Sequence, residues 1–126
     1  MWKTEVCFLD LLFPDGYYQI KAQLGEVACS FLCTAYLRKQ NYEEAWKWLE
    51  KSADFAIHMD TYDFDAPHTS PILRGYPSGG WIMEAEGNRS QSMLHWLTTN
   101  EAATVLQTDA RYETLVDRLK TVAKKP

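Results

Sequence analysis

The chain is expected to form one all-α domain over residues 1–126. Apolar residues recur at i, i+3 and i+4 through most of the sequence, and the interruptions fall at Pro, Gly, Asn and Asp, which break or cap helices. Two long periodic stretches are also joined by only about two residues, Gln40-Asn41, and so short a link forces them into an antiparallel hairpin. Length agrees with this: 126 residues, 46% of them hydrophobic and 24% charged, allow roughly two-thirds of the unfolded surface to be buried without disulfides or metal.

Between Lys3 and Phe13, the residues Val6, Phe8, Leu9, Leu12 and Phe13 keep helical spacing until Pro14-Asp15-Gly16 interrupts it. A second helix is expected from about Ile20. Its core stripe reads Leu24, Val27, Ala28, Phe31, Leu32, Ala35 and Tyr36, with Cys29, Cys33 and Leu37 widening the apolar surface; Arg38-Lys39 suit its carbonyl end. Asn41 is the expected N-cap of the third helix, with Glu43 and Glu44 in the first turn. Tyr42, Ala45, Trp46, Leu49, Ala53, Ala56 and Ile57 form its stripe, and Lys47, Glu50, Lys51 and Asp54 face water. Trp46 and Trp48 are adjacent and so point to different sides, one into the core and the other over the following loop.

Periodicity stops over about 63–88, where Pro67, Pro71, Pro77, Gly75, Gly79, Gly80 and Gly87 punctuate the chain. So long a connection is expected to be ordered and to fold back over the helices, since Tyr62, Phe64, Ile72, Leu73, Tyr76, Trp81 and Ile82 would otherwise lie in water. C-terminal helices are expected over about 90–123. Ser90 or Ser92 caps the first, which carries Met93, Leu94, Trp96 and Leu97; a short amphipathic piece runs from Glu101 to Leu106. Asp109 caps the last, which runs through Tyr112, Leu115, Val116, Leu119 and Val122 to a cationic end that frays after Ala123.

Thirteen Lys and Arg against seventeen Asp and Glu leave a formal charge of −4, and a surface of that sign repels a phosphate backbone, so direct nucleic-acid binding is not expected. No apolar run reaches the ~20 residues of a membrane span. The opening Met1-Trp2-Lys3-Thr4-Glu5 lacks a secretion signal, and a cytoplasmic location is expected. Five Trp and seven Tyr supply large flat side chains suited to a core or a recognition surface.

Catalytic and metal chemistry find little support in the pattern. Cys29 and Cys33 stack on one helix face as small apolar residues. His58, Asp60, Asp63, Asp65 and His68 cluster N and O donors, yet the simpler account makes His58 a cation at a helix C-terminus and the acids solvated, so no metal or cofactor is expected. Ser70, Ser78, Cys7 and three His lack the setting of a nucleophile with its base, and the chain is not expected to be an enzyme. Ser78-Gly79-Gly80 lacks the Lys and Ser/Thr of a phosphate loop, and Asn88-Arg89-Ser90 reads as the approach to a helix.

Leu32-Cys33 with Tyr36, then Tyr42 with Ala45, Leu49 and Ser52, give the hairpin a register over about 26–57 that resembles a tetratricopeptide repeat. In that pattern small residues at Cys33, Ala45 and Ser52 let the helices approach, while Tyr36, Tyr42 and Leu49 fill the holes beside them. Gln40 stands where the family has a turn glycine. More widely, His68-Thr69-Ser70-Pro71, Leu73-Arg74-Gly75, a Leu-bearing helix and Asp109-Ala110-Arg111-Tyr112 look like the C-terminal sensor half of bacterial helix-turn-helix regulators. The resemblance implies a protein- or peptide-binding module, with extended peptides lying on the first repeat helix along Val27, Ser30, Thr34, Leu37 and Arg38. The loop face around Tyr76 and Trp81 is the alternative surface. A small-ligand or metal-binding regulator using 58–82, and a self-associating homodimer with aromatics paired across a two-fold axis, are the other readings.

Ala45→Trp is expected to disrupt the hairpin, because overpacking a close helix crossing costs about 1–3 kcal/mol of a total of ~5–15 kcal/mol. An unchanged melting temperature would place Ala45 on the surface.

Overall fold

In the computed structural model, which describes residues 2–16, 18, 21–63, 69, 71 and 87–124, the regular structure is entirely helical among the described residues. The order is α1 (Trp2–Leu12), α2 (Ala22–Arg38), α3 (Tyr42–Thr61), α4 (Arg89–Thr99), a 3₁₀ helix (Glu101–Thr108) and α5 (Ala110–Val122). Among the described residues no helix is long and apolar enough to cross a membrane. The expected ordered connection over 63–88, and with it the face around Tyr76 and Trp81, falls almost wholly outside the described residues.

The turn between α2 and α3 is fixed by backbone hydrogen bonds. At the end of α2 the Gln40 amide donates to the Leu37 carbonyl and the Asn41 amide to the Tyr36 carbonyl, both at 3.0 Å, with Gln40 at φ 57°. This is the paired termination in which one left-handed residue closes the helix. Asn41 then caps α3, its side chain accepting from the Glu44 amide.

Contacts between side chains give the helix directions. Lys3 sits over the Tyr36 and Trp48 rings, Trp2 stacks on Phe31 at 4.7 Å, and Asp10 pairs with Lys51 at 3.2 Å. So α1 runs antiparallel to α2 and along α3. Arg111 near the start of α5 meets Glu43 near the start of α3, and Arg118 meets Asp54 further along both. Three helices, α1, α3 and α5, therefore run one way, while α2 and α4 return. α3 lies at the middle, packed on α2, α4 and α5.

That position explains the two tryptophans. Trp46 is buried beneath the Arg111 guanidinium of α5, 4.9 Å from its ring centre. Trp48 is also buried, with Lys3 of α1 and Lys47 over its ring and its Nε1 donating to Glu44. Both rings serve the core, in place of the expected division between core and loop, because α3 has a helix against each side.

The apolar surface of α2 is turned differently from expectation. Ala22, Gly25, Ala28, Cys29, Leu32, Cys33 and Leu37 are buried, whereas Leu24 and Phe31 are 57% and 52% exposed. The reason is distance. A Cβ on Gly25 would meet the Phe55 ring of α3 at 2.5 Å, and only a face of small side chains lets the axes come so near. The large residues of the expected stripe are left outside. On α3 the small positions Ala45 and Ser52 are buried as the packing requires, while Tyr42 is 40% exposed.

Gln40→Gly is expected to raise the melting temperature, since removing the side chain at a left-handed position relieves a conformational cost of about 1 kcal/mol. A lower melting temperature would mean that the Gln40 side chain contributes more than its backbone strain removes.

Candidate binding groove

α4 is positioned by its first three residues. Asn88 caps it, accepting from the Gln91 amide at 3.1 Å, and the same Oδ1 accepts from the Lys124 amide while Nδ2 donates to the Val122 carbonyl. Start of α4 and end of α5 are thereby held by one buried amide. Asp60, near the end of α3, accepts from the Arg89 and Ser90 amides at 3.1 and 2.7 Å, so a carboxylate takes the helix N-terminus where the dipole favours it. The Arg89 Nε donates to Glu26 of α2 at 2.6 Å. Neither Ser90 nor Ser92 is the cap: Ser90 is fully buried and its Oγ has no hydrogen-bond partner among the described residues. Asn88 takes the role because its amide satisfies both helices at once.

Held this way, α4 stands off from α2 and a groove lies between them. Its deep part, about 220 Å³, has Leu49 of α3 as floor, Glu26, Ser30, Cys33 and Thr34 on the α2 wall, and Ser92, Met93 and Trp96 on the α4 wall. A shallower continuation of about 370 Å³ shares Glu26, Ser30 and Thr34 and adds Val27, Phe31 and Arg89. The hydroxyls are already engaged: Ser52 Oγ donates to the Glu26 carbonyl, so Ser30 donates to Ser52, Thr34 donates to the Ser30 carbonyl and Ser92 to the Asn88 carbonyl. Burial pushes the Cys33 thiol up to about 12 and holds the Glu26 carboxyl above the usual carboxylate range against the lowering effect of Arg89. The groove thus offers an apolar bottom, hydroxyl acceptors and one guanidinium, with a protonated thiol that is a poor nucleophile.

Of the five residues expected on this surface, Val27, Ser30 and Thr34 line the groove. Leu37 does not: it is buried in the core, since the inward turn of the small-residue face of α2 carries Leu37 with it. Arg38 is exposed and lies outside the lining. Glu26, Cys33, Leu49, Arg89, Ser92, Met93 and Trp96 were not legible as groove residues. Met93 and Trp96 read as core by period alone, and only the offset of α4 from α2 leaves Trp96 half-buried at a cleft.

The expected donor cluster is divided. Asp65 and His68 fall outside the described residues, Asp60 caps α4, and among the described residues no group of three or more His, Cys, Asp or Glu is placed to hold a metal. His58 is half-buried, stacked on Tyr62 and edge-on to Tyr18, beside a depression of about 400 Å³ that Lys47, Lys51 and Asp54 also line. Burial lowers its pKa from the ordinary value. The same burial opposes the positive charge expected of His58 at the end of α3. Comparison with protein-family models, curated proteins and solved structures finds no match to this chain.

Because the folded pKa of His58 is depressed, the unfolded chain binds the extra proton more readily, and its contribution to stability is lost as pH falls through and below the unfolded value near 6.5. Between pH 7.5 and about 5, His58→Gln should lose less melting temperature than the parent. Equal losses in the two proteins would show that His58 titrates normally in the fold.

Proposed function

We propose that this chain is a protein- or peptide-binding module that works through the groove between α2 and α4. The observation that carries this is the pairing of a preformed apolar cleft with exposed apolar side chains at its rim: Leu49 lies at the bottom, Cys33, Met93 and Trp96 on the walls, and Val27 and Phe31 at the edge. Burying one large side chain there contributes about 1.5–3 kcal/mol, and a flanking surface of that kind excludes water from it. The tetratricopeptide resemblance supports the same face, since its first repeat helix is α2, and the alternation of helix directions is compatible with a stacked arrangement of hairpins. On the wider resemblance, such a module would serve as the sensor or interaction part of a bacterial transcriptional regulator or as a free-standing relative of one.

The test is capture of partners from a cell lysate by the parent chain and by two variants. Ser92→Trp places a bulky ring at the mouth of the cleft from an exposed position, and Val27→Glu puts a charge on its edge. Both are expected to keep the helical circular dichroism spectrum and to lose the captured partner by about 30-fold or more in affinity, the size of a central contact. Unchanged capture by both folded variants would remove the groove from consideration.

A further inference from the structure

Among the described residues, most of the large apolar side chains left exposed lie on α1 and α2. Phe8 and Leu11 of α1 are 57% and 75% exposed, and Leu24, Val27 and Phe31 of α2 are exposed as well. They share one surface. Lys3 and Asp10 reach α3 from one flank of α1, so Phe8, which projects from the other flank, lies on the α2 side. On α2, Cys33 lines the groove beside α4, and Leu24 projects from the opposite side of a helix with 3.6 residues per turn, toward α1. Trp2, stacked on Phe31, joins the two rows.

On α2 this surface carries no charge. From Ala22 to Leu37 the only charged residue is Glu26, which is buried and paired with Arg89, and Lys21 and Arg38 stand at the two ends. α5 gives the contrast: its exposed residues include Glu113, Asp117, Arg118 and Lys120. A solvated helix face is ordinarily polar in this way, whereas loss of charge around large apolar residues marks the centre of an interface.

Area and self-complementarity select the occupant. With ordinary side-chain areas the five residues leave roughly 400–500 Å² of apolar surface in water. A standard interface takes about 800 Å² from each partner, about 60% of it apolar, so one such face on each of two subunits is enough. A head-to-tail contact would need a second apolar face for the first to meet. Among the described residues the other large exposed apolar side chains are Tyr42 and Val105, too few to form one. What matches the face is a copy of itself.

We infer that two copies of this chain associate about a two-fold axis through the outer face of α1 and α2, with Phe8, Leu11 and Leu24 in the contact and Lys21 and Arg38 at its rim. The contact is isologous and therefore closes at two subunits. Phe8, Leu11 and Leu24 do not line the groove, so self-association stands or falls independently of peptide binding there.

Sedimentation equilibrium of the full chain between about 1 and 500 μM provides the test. The parent's mass should rise from one chain to two and stop there. Leu11→Glu and Leu24→Glu sit on different helices at positions exposed in the single chain, so each should keep the helical circular dichroism spectrum. An isologous contact carries every substitution twice, and each variant should dimerise at least about 30-fold more weakly than the parent. Val105→Glu, outside the face, and Ser92→Trp, which blocks the groove, should dimerise as the parent does. If one face variant fails to fold, the other, on the neighbouring helix, gives the answer. A parent that stays monomeric at about 500 μM, or that grows past two chains without limit, overturns the inference. So does a folded face variant that dimerises as well as the parent, or a dimer lost in Ser92→Trp. A monomeric parent whose melting temperature falls with Leu11→Glu would show that a segment of the same chain covers the face, which also overturns it.

Discussion

The tertiary arrangement depends on the polar contacts made by three consecutive residues, Asn88, Arg89 and Ser90. Asn88 joins the start of α4 to the end of α5, Arg89 reaches Glu26 on α2, and the Arg89 and Ser90 amides meet Asp60 on α3. One turn of chain thus contacts three other helices. Helix N-termini expose amides that need partners, and here those partners are tertiary, so capping α4 and docking it are the same event. Gly87 belongs to this junction: at φ +89°, a Cβ there would come against the Lys124 carbonyl. Leaving any one of these buried groups unpaired would cost about 1–3 kcal/mol, and the groove would lose its second wall.

The opposite end of the assembly is tied by charge. Arg111 makes a two-pronged contact with Glu43 on α3, bonds Asp109 at 2.8 Å and covers Trp46. It draws the Asp109 carboxyl down to about 2 through the hydrogen bonds it donates. These groups are largely solvated, so their contribution to stability is small and salt-sensitive. What they supply is direction. Arg111 on Glu43 and Arg118 on Asp54 set α5 along α3, and Leu115 and Leu119 then close the core beside them.

The groove and the apolar edge beside it share one origin. α2 turns its small residues toward α3 because Gly25, Ala28, Cys29 and Cys33 permit an approach that Leu24, Val27 and Phe31 would prevent. The larger side chains, displaced from the core, become the surface next to the cleft. Phe31 recovers part of its contact by stacking with Trp2, while Leu24 stays in water.

Much of the fold could be read from the amino-acid order. The five α-helices, the caps at Asn41 and Asp109, the hairpin link at Gln40-Asn41 and the burial of Ala45, Leu49 and Ser52 follow from local propensity, hydrogen-bonding groups and a period of 3.6, all of which act within a few residues along the chain. Of the five positions that the repeat resemblance implied, Val27, Ser30 and Thr34 line the groove. The rotation of α2, the burial of Leu37, the two-sided role of α3 and the replacement of Ser90 or Ser92 by Asn88 as cap could not be read from that order. Each depends on which neighbour lies against a helix and how near it comes. Periodicity shows that Leu24, Cys29 and Leu37 are apolar; it does not show that the Phe55 ring rests on Gly25, and that contact selects which face turns inward. Glu26 and Arg89 are 63 residues apart in sequence, so their pairing, and the groove it borders, was decided only when α4 docked.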